Sequence, residues 1–161
     1  MKCVYTALAL CITLGACAAA NTNTRDLIFQ QESYKFTAFQ NQDGGFRNHL
    51  YTARNHPERS LILTGEALPP YVTAQEYVNQ RMQLEQRHRK NDCTVTKKSL
   101  RQTVYYVCQV RHEPTTLVYL PGAVKGYGFV KIYGNKKGLS SAGQQKAAED
   151  LIRLELPFPT E

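Results

Sequence analysis

Tryptophan is absent from the 161 residues and methionine occurs only twice, so the bulk of any core falls to aliphatic residues, six Phe and ten Tyr. No apolar run approaches the roughly 20 residues that a membrane-spanning helix needs. No Gly-x-Ser-x-Gly or Ser-x-x-Lys set is present, and no His-x-x-x-His pair, which removes the common signatures of serine hydrolases and zinc enzymes. The four histidines, His49, His56, His88 and His112, are scattered, and His88 lies among Arg87, Arg89 and Lys90, where positive charge opposes binding a cation. Gly126, Gly128 and Gly134 bracket a strand-like run instead of opening a helix, so they read as turn and strand glycines and not as a phosphate cradle. No catalytic set, cofactor site or metal site is therefore expected.

What is present begins at the first residues. Lys2 gives a positive start, and Val4 to Leu14 is mostly apolar, interrupted by Tyr5, Thr6 and Thr13. That length and composition fit the core of a signal peptide. The run closes on Leu14, Gly15, Ala16, Cys17. This resembles the lipobox of bacterial lipoprotein precursors, in which small residues let a peptidase grip an extended backbone and the cysteine is the acylated residue. The resemblance implies removal of residues 1–16, lipid on Cys17, and anchoring by two or three acyl chains, since one chain binds a membrane only marginally. Ala18 stands where an aspartate favours inner-membrane retention, which points to the periplasmic side of the outer membrane. Ala18 to Arg25 is a polar tether reaching at most roughly 30 Å. The lipidated cysteine and tether are assigned to residues 17–31 and a single domain to 32–161, a size that supports one core.

The formal net charge of +7 is unevenly placed. Residues 81–112 hold eight Lys/Arg against Glu85 and Asp92, while the flanking segments nearly balance. Within that stretch Arg87, Arg89, Lys90, Lys97, Lys98 and Arg101 form a candidate surface for an anionic envelope component or a protein partner. A solvated face that keeps the protein soluble accounts for the same residues equally well. An exported chain with no nucleic-acid motif is not expected to bind nucleic acid.

Cys3 and Cys11 precede the expected cleavage site, which leaves Cys93 and Cys108 as an even pair in an oxidising compartment and predicts a disulfide. A fold-back about Leu100 and Arg101 sets Cys93 opposite Cys108, Val95 opposite Tyr106 and Lys97 opposite Val104. Such facing positions bring Cα atoms within disulfide range.

Patterning predicts strands near residues 34–39, 46–53 and 61–63, with a turn at Gln42 to Gly45. A helix follows from Ala74 to about Lys90, opened by a Thr73/Glu76 capping box, with Arg81 and Glu85 placed to pair inside its apolar arc. Four strands follow over 93–99, 103–111, 116–120 and 127–133, with a turn at Pro121 and Gly122. A second helix runs over about 142–154, capped by Ser141 and Gln144, with Ile152 on its apolar side and Glu149 and Asp150 on its polar side. Of the tyrosines at 105, 106, 119, 127 and 133, about half are expected in the core. The fold class is α+β, an antiparallel sheet of about six or seven strands with two helices packed on it. In element order the segment from about Glu32 to Leu156 is similar to the PsbP, Mog1 and DcrB-like group of small domains, some of which are envelope lipoproteins. The sequence thus predicts a non-enzymatic, membrane-anchored envelope protein that binds or positions a partner in a secretion or surface-assembly system. The alternatives are a wall-acting enzyme or enzyme inhibitor, or a small-ligand carrier.

Overall fold

The structure is a computed structural model that describes residues 26–42 and 46–157. The expected signal peptide, Cys17, the expected tether as far as Arg25, and residues 43–45 of the expected turn lie outside the described residues. The elements are β1 (Leu27–Phe29), β2 (Glu32–Gln42), β3 (Phe46–Ala53), β4 (Arg59–Ala67), α1 (Ala74–Arg89), β5 (Cys93–Leu100), β6 (Thr103–Val110), β7 (Thr116–Val124), β8 (Tyr127–Asn135) and α2 (Ser141–Arg153). The strands form one antiparallel sheet in the order β1-β2-β3-β4-β8-β7-β6-β5, so the α+β class holds with eight strands instead of six or seven.

The extra strand is β1, inside the segment that the sequence assigned to the tether. Gln30 and Gln31 form a two-residue hairpin with φ of 52° and 61°, pairing Phe29 with Glu32. Two successive positive φ values are usually announced by Asn-Gly. Gln-Gln conceals the turn, and residues 27–31 belong to the sheet.

Two meanders, β1 to β4 and β5 to β8, join where β4 pairs with β8 over nine residue pairs, from Arg59↔Asn135 to Ala67↔Tyr127. Side chains alternate across a strand, and here both faces are apolar. Tyr105, Val107, Val118, Leu120 and Tyr133 point to the face that carries Ala147, Ala148 and Leu151 of α2. Tyr106, Cys108, Tyr119, Val130 and Ile132 point to the face that carries Met82 of α1. The helices therefore cover opposite faces. Four of the five meander tyrosines are buried in consequence and only Tyr127 is half-exposed, where a sheet covered on one side would have buried about half.

The turn expected at Pro121 and Gly122 lies elsewhere, because both residues are inside β7. The chain reverses at Lys125 and Gly126, with φ of 49° and 78°. Pro121 pairs with Val130 of β8, and the β6–β7 register has already ended at Tyr106↔Tyr119. The position is locally an edge, where proline is tolerated.

Helix α1 opens on the predicted capping box. Thr73 Oγ1 accepts from Glu76 N at 3.2 Å, and Glu76 Oε2 accepts from Thr73 N at 2.8 Å. The pairing of Arg81 with Glu85 also holds, at 3.3 Å. Leu84 of this helix is exposed. Tyr77 lies flat on β8, where a Cβ built on Gly128 would sit 2.5 Å from its Cζ.

Helix α2 is capped one residue earlier than expected, by Ser140, whose Oγ accepts from Gly143 N at 3.1 Å. Ile152 is exposed, and its three buried residues are Ala147, Ala148 and Leu151. Asp150, expected to be solvated, accepts from Gln30 Nε2 at 3.0 Å. On the other side Lys98 Nζ donates to Gln144 Oε1 at 2.7 Å. Contacts from both ends of the strand order show the sheet wrapping around α2. Lys131, buried beneath the helix, donates from Nζ to Leu151 O at 2.9 Å and to Leu154 O. Leu151 lies in the last turn, whose carbonyls lack intrahelical donors and carry the negative end of the helix dipole, and Leu154 is the C-cap.

Two predictions follow from this packing. Gly128→Ala should lower stability by about 1 to 3 kcal/mol, because the Tyr77 ring is confined. Urea unfolding checks it, and an unchanged midpoint contradicts the stacking. Burial lowers the Lys131 pKa from 10.5 to about 8. The unfolded chain therefore holds the extra proton between those values, and stability must rise as pH climbs through 8. The gain from pH 7 to 9 should be about 1 kcal/mol and absent in Lys131→Met. Above about pH 10 the buried tyrosines, whose pKa values burial raises, reverse the trend. Parallel pH profiles for the two proteins would refute this assignment.

Candidate functional site

The sequence concentrates charge around β5, and the fold makes β5 an edge. Among the described strands it pairs with β6 alone, over eight residue pairs from Cys93↔Val110 to Leu100↔Thr103. The hairpin reverses at Arg101 and Gln102, one residue later than expected, so Val95 faces Cys108 and Lys97 faces Tyr106. The expected pairing of Cys93 directly opposite Cys108 is shifted by two residues. A shift of two keeps both cysteines on the same face, and they meet diagonally with Cα atoms 5.7 Å apart to form the predicted disulfide. Both are buried against Met82, Tyr106 and Tyr119 under α1.

This staple bears on the edge directly. An outer strand held from one side frays readily, and the disulfide fixes the start of β5 to the end of β6. Toward the other end, Lys97 and Lys98 are consecutive and so project to opposite faces. Lys97 is exposed on the α1 side. Lys98 is half-buried on the α2 side through its hydrogen bond to Gln144. Arg101 occupies the turn at φ 54° and, with Leu100, Thr103, Glu149, Ile152 and Arg153, lines a shallow groove between the hairpin and α2.

The six-residue basic surface does not assemble into one patch. Arg87, Arg89 and Lys90 lie at the end of α1 beside the start of β5, whereas Lys97, Lys98 and Arg101 lie toward its far end. An eight-residue strand separates the two groups by up to about 26 Å. Arg89 is turned inward, with Nε 3.5 Å from Glu85 Oε2, so Glu85 is shared between Arg81 and Arg89. Arg87 and Lys90 remain exposed on the helix end. The set nearest the free edge is Lys97, Lys98 and Arg101.

A second polar cluster escaped sequence reasoning. Glu32, almost fully buried, accepts from Arg59 Nη1 at 3.1 Å and from Asn55 N at 3.3 Å, and its Oε1 lies 2.7 Å from His56 Nδ1. Burial acts to raise its pKa, but the His56 hydrogen bond and the nearby positive charge prevail and lower it. The cluster ties the start of β2 to the loop between β3 and β4. Glu32 is more than 20 residues from its three partners, and only the β2–β3–β4 register brings them together. His49 is buried, while His88 and His112 are exposed. Among the described residues no group of three or more His, Cys, Asp or Glu side chains is placed to hold a metal ion. No helix among them is long and apolar enough to cross a membrane.

No family model matches the chain, and no curated protein is similar to it at a significant level.

The staple generates a prediction. The disulfide closes a separation of 15 residues, which in the chain-entropy model is worth about 3 kcal/mol. The double variant Cys93→Ala/Cys108→Ala should lose about that much in urea unfolding, and reduction of the native protein should give a similar loss. Equal midpoints for oxidised and reduced protein would show that the crosslink contributes nothing.

Proposed function

We propose that the chain is a lipid-anchored protein of the bacterial envelope that binds or positions a partner and catalyses no reaction, in a secretion or surface-assembly system. The observation that carries this reading is the Leu14, Gly15, Ala16, Cys17 motif placed directly after a short apolar run. The buried Cys93–Cys108 disulfide is in keeping with an oxidising compartment. Ala18 after the cysteine favours the periplasmic side of the outer membrane. On this reading the tether holds the domain within roughly 30 Å of the bilayer, and the basic β5 edge is the surface presented.

Cores shape the choice among alternatives. The space between the sheet and α2, where a carrier holds its ligand, contains Tyr34, Tyr51, Leu61, Leu63 and Tyr133, all buried and packed in one cluster with Leu151. That packing supports placing the binding role on the outer surface.

Mass spectrometry of the membrane fraction tests the anchor. The expected result is a peptide beginning at Cys17 that carries diacylglyceryl and acyl mass, and Cys17→Ser should release the protein from the membrane. An unmodified Cys17, or residues 1–16 retained in the mature protein, overturns the reading.

A further inference from the structure

We infer that β5 is a docking edge for an extended acidic segment of a partner protein, which adds to the sheet as a ninth strand. The inference rests on the partner-binding reading above and specifies the partner's chemistry.

Three observations point the same way. First, Cys93–Leu100 is eight residues long and pairs on one side only among the described strands, so its outward N–H and C=O groups lack strand partners. Another strand satisfies those groups in register, and a layer of lipid headgroups does not. Secondly, the edge is preorganised. The disulfide fixes its beginning and the Lys98–Gln144 hydrogen bond ties its later half to α2, so little ordering remains to oppose docking. Thirdly, the edge selects by charge. Lysines on an edge strand are a recognised device against strand pairing, and here they act against one class of partner in particular. A second copy of β5 paired antiparallel about the strand centre would crowd Lys97 and Lys98 of both copies into the same few residues. An incoming strand with two consecutive carboxylates meets them differently. Consecutive residues project to opposite faces, so one carboxylate reaches Lys97 on the α1 side and the next reaches Lys98 on the α2 side. Arg101 at the turn offers a further cation to the end of such a segment. The other exposed side chains of the strand, Thr94, Thr96 and Ser99, are small and admit a neighbouring backbone.

The experiment uses the full mature chain in lipid nanodiscs and four labelled probes. Three are nine-residue Thr/Val peptides: one with a central Glu-Glu pair, one with a central Lys-Lys pair, and one with Glu-Glu and prolines at alternate positions. The fourth probe is phosphatidylglycerol vesicles. Fluorescence anisotropy should show the Glu-Glu peptide binding about tenfold more tightly than the Lys-Lys peptide, as expected for two cross-strand charge pairs. Hydrogen exchange should slow at β5 amides on binding, and the proline peptide should not bind. Lys97→Glu/Lys98→Glu should reverse the peptide preference. If that variant misfolds, the comparison of probes on the native chain still decides. Equal binding of the Glu-Glu and Lys-Lys peptides, or of the proline peptide, overturns the inference, as does binding to the vesicles alone. Acyl mass on Cys17 is measured on the same sample. A lipidated protein that ignores the peptides refutes the docking edge and leaves the anchor intact, whereas absent lipid refutes the anchor whatever the peptides do.

Discussion

Burial on both faces of one sheet is the constraint on which the rest of this molecule depends. Strands β6, β7 and β8 carry apolar side chains at consecutive positions, such as Tyr105 and Tyr106 or Val118 and Tyr119, and these project to opposite sides. One helix cannot cover both. Helix α1 therefore takes one face and α2 the other, and each needs a device to fit closely. For α1 it is Gly128, whose missing side chain admits the Tyr77 ring. For α2 it is a run of buried alanines and the Lys131 ammonium beneath its last turn. Lys131 shows that the fit has a cost, since its charge is held in a place that disfavours it. The carbonyls at the helix end offset part of that cost.

The same constraint places the edge. With the two meanders joined through β4 and β8, the strand that follows α1 is carried to the outside of the order and left there. A disulfide at the start of such a strand has more effect than one in the sheet interior, where two neighbours already hold each strand. The charged stretch and the cysteine pair, separate features in the sequence, thus become parts of one surface. On the proposed reading the lipid sets where the domain works, and this edge is what it offers.

Much of the fold was legible because local signals agreed with global packing. The Thr73/Glu76 box marks the start of α1 to the residue, and the odd separation of 15 between the cysteines keeps both on one face of the hairpin, so the disulfide is legible although the register is off by two. The misses have specific causes. Gln30-Gln31 and Lys125-Gly126 adopt positive φ without the usual Asn-Gly, so β1 was absorbed into the tether and β7 was cut short at Pro121. The Glu32, His56 and Arg59 cluster depends on strand register, which no local pattern encodes. The basic residues stand out in the composition of residues 81–112, but one-dimensional proximity does not reveal that the length of β5 divides them.

Residue-resolved hydrogen exchange of β5 in the free, oxidised protein tests the central claim most directly. The account predicts an alternating pattern along Cys93–Leu100, with amides bonded to β6 exchanging slowly and outward amides exchanging at nearly solvent rates. On reduction of Cys93–Cys108 the protected amides should become fast while those of β4 and β8 stay slow. Uniform protection of β5, or no change there on reduction, would mean that the edge is already covered or is held by something other than its staple, and the account would fail.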